Sequence, residues 1–196
     1  MPNGDVARDD YDGPVSTRAI RLMGDPVLRT PAAEVTTFDK ELRTLVKDLA
    51  DTMVEAPGVG LAAPQIGVGL RVFTYSVDDV LGHLVNPVLH FPGAEEMDGE
   101  EGCLSLPGLS FDCRRKAHVV AHGQNVHGDP VSVDGTEMLA RCVQHEVDHL
   151  DGILFVDRLD PQTKKAALKA VREAAWSQQP VLVVKASPHP LFGRAR

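Results

Sequence analysis

Gln144-His145-Glu146-Val147-Asp148-His149 sets two histidines four residues apart, the first followed by a glutamate. On an α-helix, residues i and i+4 lie one above the other on the same face, so both imidazoles can grip one metal ion. Glu146, one step round from His145, can reach a water bound to that ion without ligating it. This residue set suits metal-activated hydrolysis, with a carboxylate to carry the proton. The helix is predicted over Glu137–Leu150, with Gly152 as its C-terminal stop. Strand-like runs cluster before it without regular βαβ alternation. That argues for an α+β fold and not a doubly wound sheet.

A catalytic metal usually takes three protein ligands and leaves one position open. A metzincin protease would need a histidine where Phe155 stands, so the third ligand must come from elsewhere. The chain has three cysteines. Cys103, in Glu100-Glu101-Gly102-Cys103-Leu104-Ser105-Leu106-Pro107-Gly108, is the best candidate, with a glycine before it and a turn just beyond. Cys142 lies three residues before His145, offset in face, and Cys113 stands at a strand start. Both read as core thiols. His118 and His122 are also four apart, but in a valine-rich segment that reads as a strand, where that spacing spans roughly 13 Å and cannot serve one metal.

Upstream, Gly58-Val59-Gly60-Leu61-Ala62-Ala63-Pro64-Gln65 reads as a tight loop. The amide of Gln65 could stabilise a carbonyl oxygen that becomes negative. The segment follows a helical run and completes no GxGxxG, so it is no dinucleotide fingerprint.

Together, the loop ending in Gln65, the stretch Glu101-Gly102-Cys103-Leu104-Ser105 and the stretch Gln144–Gly152 resemble, in order and in wording, the peptide deformylase family. The likeness runs from about Arg18 to Arg172; it implies short antiparallel sheets around a central metal-binding helix, and the C-terminal helix resembles the type I bacterial form. The resemblance implies one metal ion per chain, held by Cys103, His145 and His149, with Glu146 as catalytic acid/base. It further implies Gln65 and the Leu104 N–H as oxyanion donors and Gly60 as a backbone contact to substrate. The implied substrate is a nascent polypeptide beginning with N-formylmethionine, hydrolysed to formate and a free amino terminus. On ligand softness alone the donor set suits zinc. The resemblance implies Fe²⁺ as the native ion, with Zn²⁺, Ni²⁺ or Co²⁺ able to replace it. It also suggests an inward ion pair between Asp148 and Arg115. Val59, Met138 and Cys142 flank the motifs and are the candidates for the methionine pocket. The substrate backbone is expected to pair with a strand edge near Val59 and Leu106.

Composition bounds the remaining expectations. The chain has 196 residues, 43% apolar and 24% charged, as a one-domain globular protein should. It has no apolar run long enough to span a membrane and no signal-peptide core near Met1. One cysteine wanted as a reduced ligand suits a bacterial cytoplasm. From Arg158 onward the net charge is +6, against −14 for the rest. An acidic body disfavours specific nucleic-acid binding, whereas a basic tail could steer the chain to an anionic surface; the family resemblance implies docking of the C-terminal helix on the ribosome.

Residues 1–17 read as a disordered N-terminal tail, 18–178 as the catalytic domain and 179–196 as a C-terminal tail. Helices are predicted over Asp39–Glu55, with Asp39 as N-cap, and over Asp160–Trp176, with Asp160 capping and Pro161 first. Strands are predicted over Leu70–Val77 and Leu84–Leu89, and a hairpin from Lys116–Val126 and Pro130–Val133. Two other readings compete: an HExxH peptidase cutting internal bonds, and a structural metal module, which would need four protein ligands.

Overall fold

The computed structural model describes Tyr11 and residues 13–178. Helix α1 (Lys40–Glu55) begins where the Asp39 carboxylate accepts from the Leu42 N–H, which satisfies an otherwise unpaired first-turn donor. Its Leu42, Leu45, Val46, Leu49 and Met53 recur at helical spacing and are all buried. Strands β1 (Gly60–Ala62), β2 (Val72–Val77), β3 (Val80–His90), β8 (His118–Gln124) and β9 (Pro130–Thr136) form one antiparallel sheet in the order β1-β2-β3-β8-β9. The sheet is sandwiched. Leu61, Val72 and Val85 pack with α1, while Phe73, Tyr75, Val77 and Leu84 pack with α2 (Glu137–Leu150) on the other face. Successive side chains of a strand point to opposite faces, so β2, covered on both, is nearly continuously apolar. Two short ladders complete the fold: β4 (Glu96–Met97) with β7 (Arg115–Lys116), and β5 (Glu100–Gly102) with β6 (Ser110–Asp112). A third core gathers Leu28, Leu106, Cys113, Leu154, Phe155 and Ala167 under α3 (Pro161–Glu173). No helix among the described residues is long and apolar enough to cross a membrane.

The α+β expectation holds, with four local corrections. First, the 84–89 strand extends back to Val80. Asp78 and Asp79 adopt φ of 51° and 62° and turn β2 directly into β3, a two-residue turn that requires positive φ at both positions. Within it, Asn86 takes φ 51° in a bulge between Val85 and Val88. Second, β2 begins at Val72 because Leu70 instead bridges Ala33 in parallel. Third, the last helix stops at Glu173, not Trp176. The Trp176 indole N–H reaches the Pro107 carbonyl at 3.0 Å, and residues Ala175–Gln178 tighten into a 3-10 turn. Fourth, the described part of the 1–17 tail is docked. Tyr11 packs on the first core and bonds His83 Nδ1 at 2.8 Å, while the Ser16 N–H donates to Asp51 at 2.8 Å. The rest of that tail, and the tail over 179–196, lie outside the described residues.

Candidate functional site

All residues of α2 from Ala140 to Leu150 are buried, so every polar group on them needs a partner or a purpose. Gln144 is satisfied at both ends by the Lys116 backbone, with bonds of 3.0 and 2.9 Å. Asp148 accepts from Arg115 at 2.6 Å and from Arg158 at 2.5 Å. Arg141 donates to Glu101 at 3.0 Å and to the Cys113 carbonyl at 2.7 Å. His145 Nδ1 bonds Glu101 Oε1 at 2.6 Å, which leaves its Nε2 for another task. Two side-chain atoms of the helix remain buried without a partner: Glu146 Oε2 and His149 Nδ1.

Those two residues flank a cluster. One ligand atom each from Cys103, His145 and His149 lie within 4.8 Å of one another. The Cys103 sulfur is 3.3 Å from His149 Nε2. Phe155 lies nearly parallel to the His145 ring, with centroids 6.1 Å apart. One soft sulfur and two imidazoles suit a first-row transition metal and leave room for a fourth, non-protein ligand. The electrostatics agree. Burial opposes charge on both rings. For His145 it is outweighed by the Cys103 and Glu101 hydrogen bonds and the pull of Glu146, which hold its pKa well above the imidazole range. Burial and the charge on His145 push His149 well below that range. Of the two rings, His145 is the one on which charge is favoured. Glu101 sits behind it. Burial would raise its carboxyl, but bonds from His145 and Arg115 hold it well below the usual range. A carboxylate on the far nitrogen of a ligating histidine fixes the ring's tautomer and orientation.

Burial pushes the Glu146 carboxyl up to about 7 against the opposing charge of His145. Proton transfer works best when the carrier's pKa lies near the working pH. The β1 backbone passes close over Glu146. A Cβ on Gly60 would sit 2.8 Å from both Glu146 Cδ and Cys142 Sγ, so only glycine fits. Just beyond, Gln65 Oε1 accepts from the Ala62 N–H at 2.8 Å, and this fixes which end of the amide faces the site. Its Nε2 points at Cys103 Sγ (3.7 Å) and Ser105 Oγ (3.3 Å). The Leu104 N–H, on the turn after Cys103, has no protein acceptor among the described residues.

These groups open on a cavity of about 720 Å³ lined by Val59, Gly60, Gln65, Cys103, Leu104, Met138, Arg141, Cys142, His145 and Glu146, among others. A polypeptide deformylase family model matches residues 17–165. The chain belongs to the polypeptide deformylase family. It is 68% identical to a peptide deformylase of Parafrankia sp. over 93% of this chain and all of that one. It is 63% identical to a peptide deformylase of Acidothermus cellulolyticus over 92% of this chain and 99% of that one. The crystal structure of a peptide deformylase from Legionella pneumophila superposes with a TM-score of 0.76 at 38% identity, over 84% of this chain and all of that one. As a member of the deformylase family, the chain is a metal-dependent hydrolase that removes the N-formyl group from newly made polypeptides.

Most of the deformylase residues picked from sequence come together here, and one does not. Val59 and Met138 are half exposed at the cavity rim, and the Cys142 thiol donates to the Val59 carbonyl at 3.3 Å. Leu106 is corrected. Its N–H bonds the Cys103 carbonyl and its own carbonyl accepts from the Leu109 N–H, so its backbone is already engaged, and its side chain is wholly buried with Leu28 and Phe155. Pro107 and Gly108 line the cavity instead. Arg115 and Asp148 are paired as expected, but they belong to a larger set. Arg115 also donates two bonds to Glu101, at 3.0 and 2.6 Å, and Arg158 closes on Asp148. Glu101, Arg141 and Arg158 escaped the sequence reading. The one available signal for Glu101 was its place directly before Gly102-Cys103. Cys113 is buried with its thiol pushed up to about 11 by burial and by Glu101, an inert core group. His118 and His122 lie along β8 away from this cluster, and His118 pairs with Asp134 at 2.7 Å.

Proposed function

We propose that Cys103, His145 and His149 hold the metal, that Glu146 carries the proton, and that Gln65 and the Leu104 N–H receive the negative oxygen as the formyl group of formylmethionine is hydrolysed. When bound, a divalent ion supplies Lewis acidity, which makes a water a competent nucleophile at neutral pH. Glu146, buried, with its Oε2 unpartnered among the described residues and with a raised pKa, takes the proton of the attacking water and returns it to the departing amine. Gln65 Nε2, held in orientation through its own oxygen, and the Leu104 N–H donate to the developing oxyanion. One such donor is typically worth about 3 kcal/mol of barrier. Formate and a free α-amino group leave.

The reading is carried by one conjunction: three atoms that could ligate a metal within 4.8 Å, beside a buried carboxyl whose Oε2 has no partner among the described residues. The native ion in this reading is Fe²⁺, with Zn²⁺, Ni²⁺ or Co²⁺ as substitutes. The Cys103 sulfur would then make the enzyme oxygen-sensitive. The first side chain lies between Val59, Met138 and Cys142. The peptide backbone extends along the edge strand β1, without the help of Leu106. The enzyme works in the bacterial cytoplasm, and its basic C-terminal segment docks it on the ribosome. Removing residues 163–196 should lower ribosome co-sedimentation; unchanged co-sedimentation would remove that part of the proposal.

The test is mass spectrometry of formyl-Met-Ala-Ser after incubation with anaerobically purified, iron-loaded protein. Formate plus intact Met-Ala-Ser is expected. Cleavage within the peptide would favour an endopeptidase, and no reaction from folded, loaded protein would overturn the reading.

A further inference from the structure

The cavity wall contains a charged donor that this chemistry leaves unused. Arg141 stands on α2 one turn before His145, beside Met138 and Cys142, and all three line the cavity. Its side chain is only 9% exposed. Nη1 is engaged twice, by Glu101 and by the Cys113 carbonyl. Nη2 and Nε have no hydrogen-bond acceptor among the described residues, yet they are not among the atoms sealed from solvent without a partner. Gly99 keeps this slot open: a Cβ there would lie 2.9 Å from Nη2. A guanidinium anchored through Nη1 presents its remaining donors in a fixed plane.

The cavity wall is therefore apolar at Met138 and Cys142 and carries Arg141 beside them. A thioether sulfur is a weak acceptor and leaves those donors unfilled. A sulfoxide oxygen is a strong acceptor. Oxidised methionine keeps the length of methionine while gaining that polar, chiral group. We infer that Arg141 is a specificity-determining residue that admits formylmethionine sulfoxide, so that the enzyme also deformylates chains whose initiator methionine has been oxidised. The inference rests on the proposed placement of the first side chain. The bond changes are those of the ordinary reaction: water cleaves the formamide C–N bond, formate and amine depart, and the S–O bond is untouched.

The experiment compares kcat/KM for three peptides: formyl-Met-Ala-Ser, the separated sulfoxide epimers of that peptide, and formyl-norleucine-Ala-Ser, which has no acceptor. Wild type is expected to process one epimer within about tenfold of the methionine peptide. Arg141→Met should lower the sulfoxide-to-norleucine ratio by at least about tenfold, the effect of losing a hydrogen bond from a charged group, and Arg141→Lys should restore part of it. Arg141 also holds Glu101, so the ratio is the readout; a general weakening of the centre affects both peptides alike. Norleucine turnover by wild type with no turnover of either epimer would overturn this inference alone. So would a ratio that Arg141→Met does not change. No turnover of any peptide would overturn the deformylase placement and this inference together.

Discussion

At the scale of single residues, the site is defined by close approach and by unmet polar need. Gly60 is the tightest example, since any side chain there would enter the space of Glu146 and Cys142. Gly60→Ala should reduce kcat/KM by about 10²-fold, the usual effect of displacing a catalytic group by about an ångström. Overpacking would also lower stability by about 1–3 kcal/mol. Kinetics and urea unfolding on the same preparation check both, and wild-type kinetics would contradict the stated role of the β1 backbone. The pairing of His145 with His149 was legible at this scale because i, i+4 spacing on a helix is a geometric statement. Leu106 was misread for the opposite reason. Adjacency to a motif says nothing about direction: the Leu106 backbone is engaged in turn bonds and its side chain is buried in the core.

At the scale of elements, α2 is held by an ionic lattice drawn from short strands. Glu101 of β5, Arg115 of β7, Arg141 and Asp148 of α2 and Arg158 beyond it share bonds of 2.5 to 3.1 Å, and all but Arg158 are buried. Removing one member of a buried network leaves charge uncompensated and typically costs about 3–5 kcal/mol. Asp148→Asn should therefore lower unfolding free energy by an amount of that order and loosen the metal, as read by urea titration and metal analysis. Unchanged metal content and activity would mean that the lattice does not position the centre. Only the Asp148–Arg115 contact was anticipated. The other partners meet across 10 to 40 residues of sequence, with Glu101 and Arg115 on strands of three and two residues, too short to show a period. By contrast α1 was legible almost to the residue because its Asp39 cap and apolar spacing agree, and α2 because the His145–His149 spacing and the Gly152 stop bound it.

At the scale of the whole molecule, the chain after α2 folds back on the body. Asp157 binds Arg29, Lys164 (3.0 Å) and the Leu154 N–H (3.1 Å), tying α3 to the N-terminal segment. Burial would raise its carboxyl, but the Arg29 and Lys164 bonds prevail and hold it below the usual range. The sign follows. A carboxyl depressed in the fold adds stability above its unfolded value of about 3.9 and loses it as pH falls through the folded value. Asp157→Asn should thus be less stable than wild type at pH 7, by no more than about 1 kcal/mol because the group is partly exposed, and the gap should be smaller at about pH 3. Urea unfolding of both proteins at the two pH values measures it, and a gap independent of pH would contradict the assignment. Of this fold-back, the sequence reading contained only the capped helix, because the Trp176–Pro107 bond that ends it joins residues 69 apart. The central claim is that a three-ligand metal centre hydrolyses the formyl group with Glu146 as its proton carrier. Its most direct test is formate release per bound iron, wild type against Glu146→Ala, both purified anaerobically. The account predicts equal metal content and a rate lowered by about 10²–10⁴-fold in the variant. Equal rates at equal metal content would contradict it.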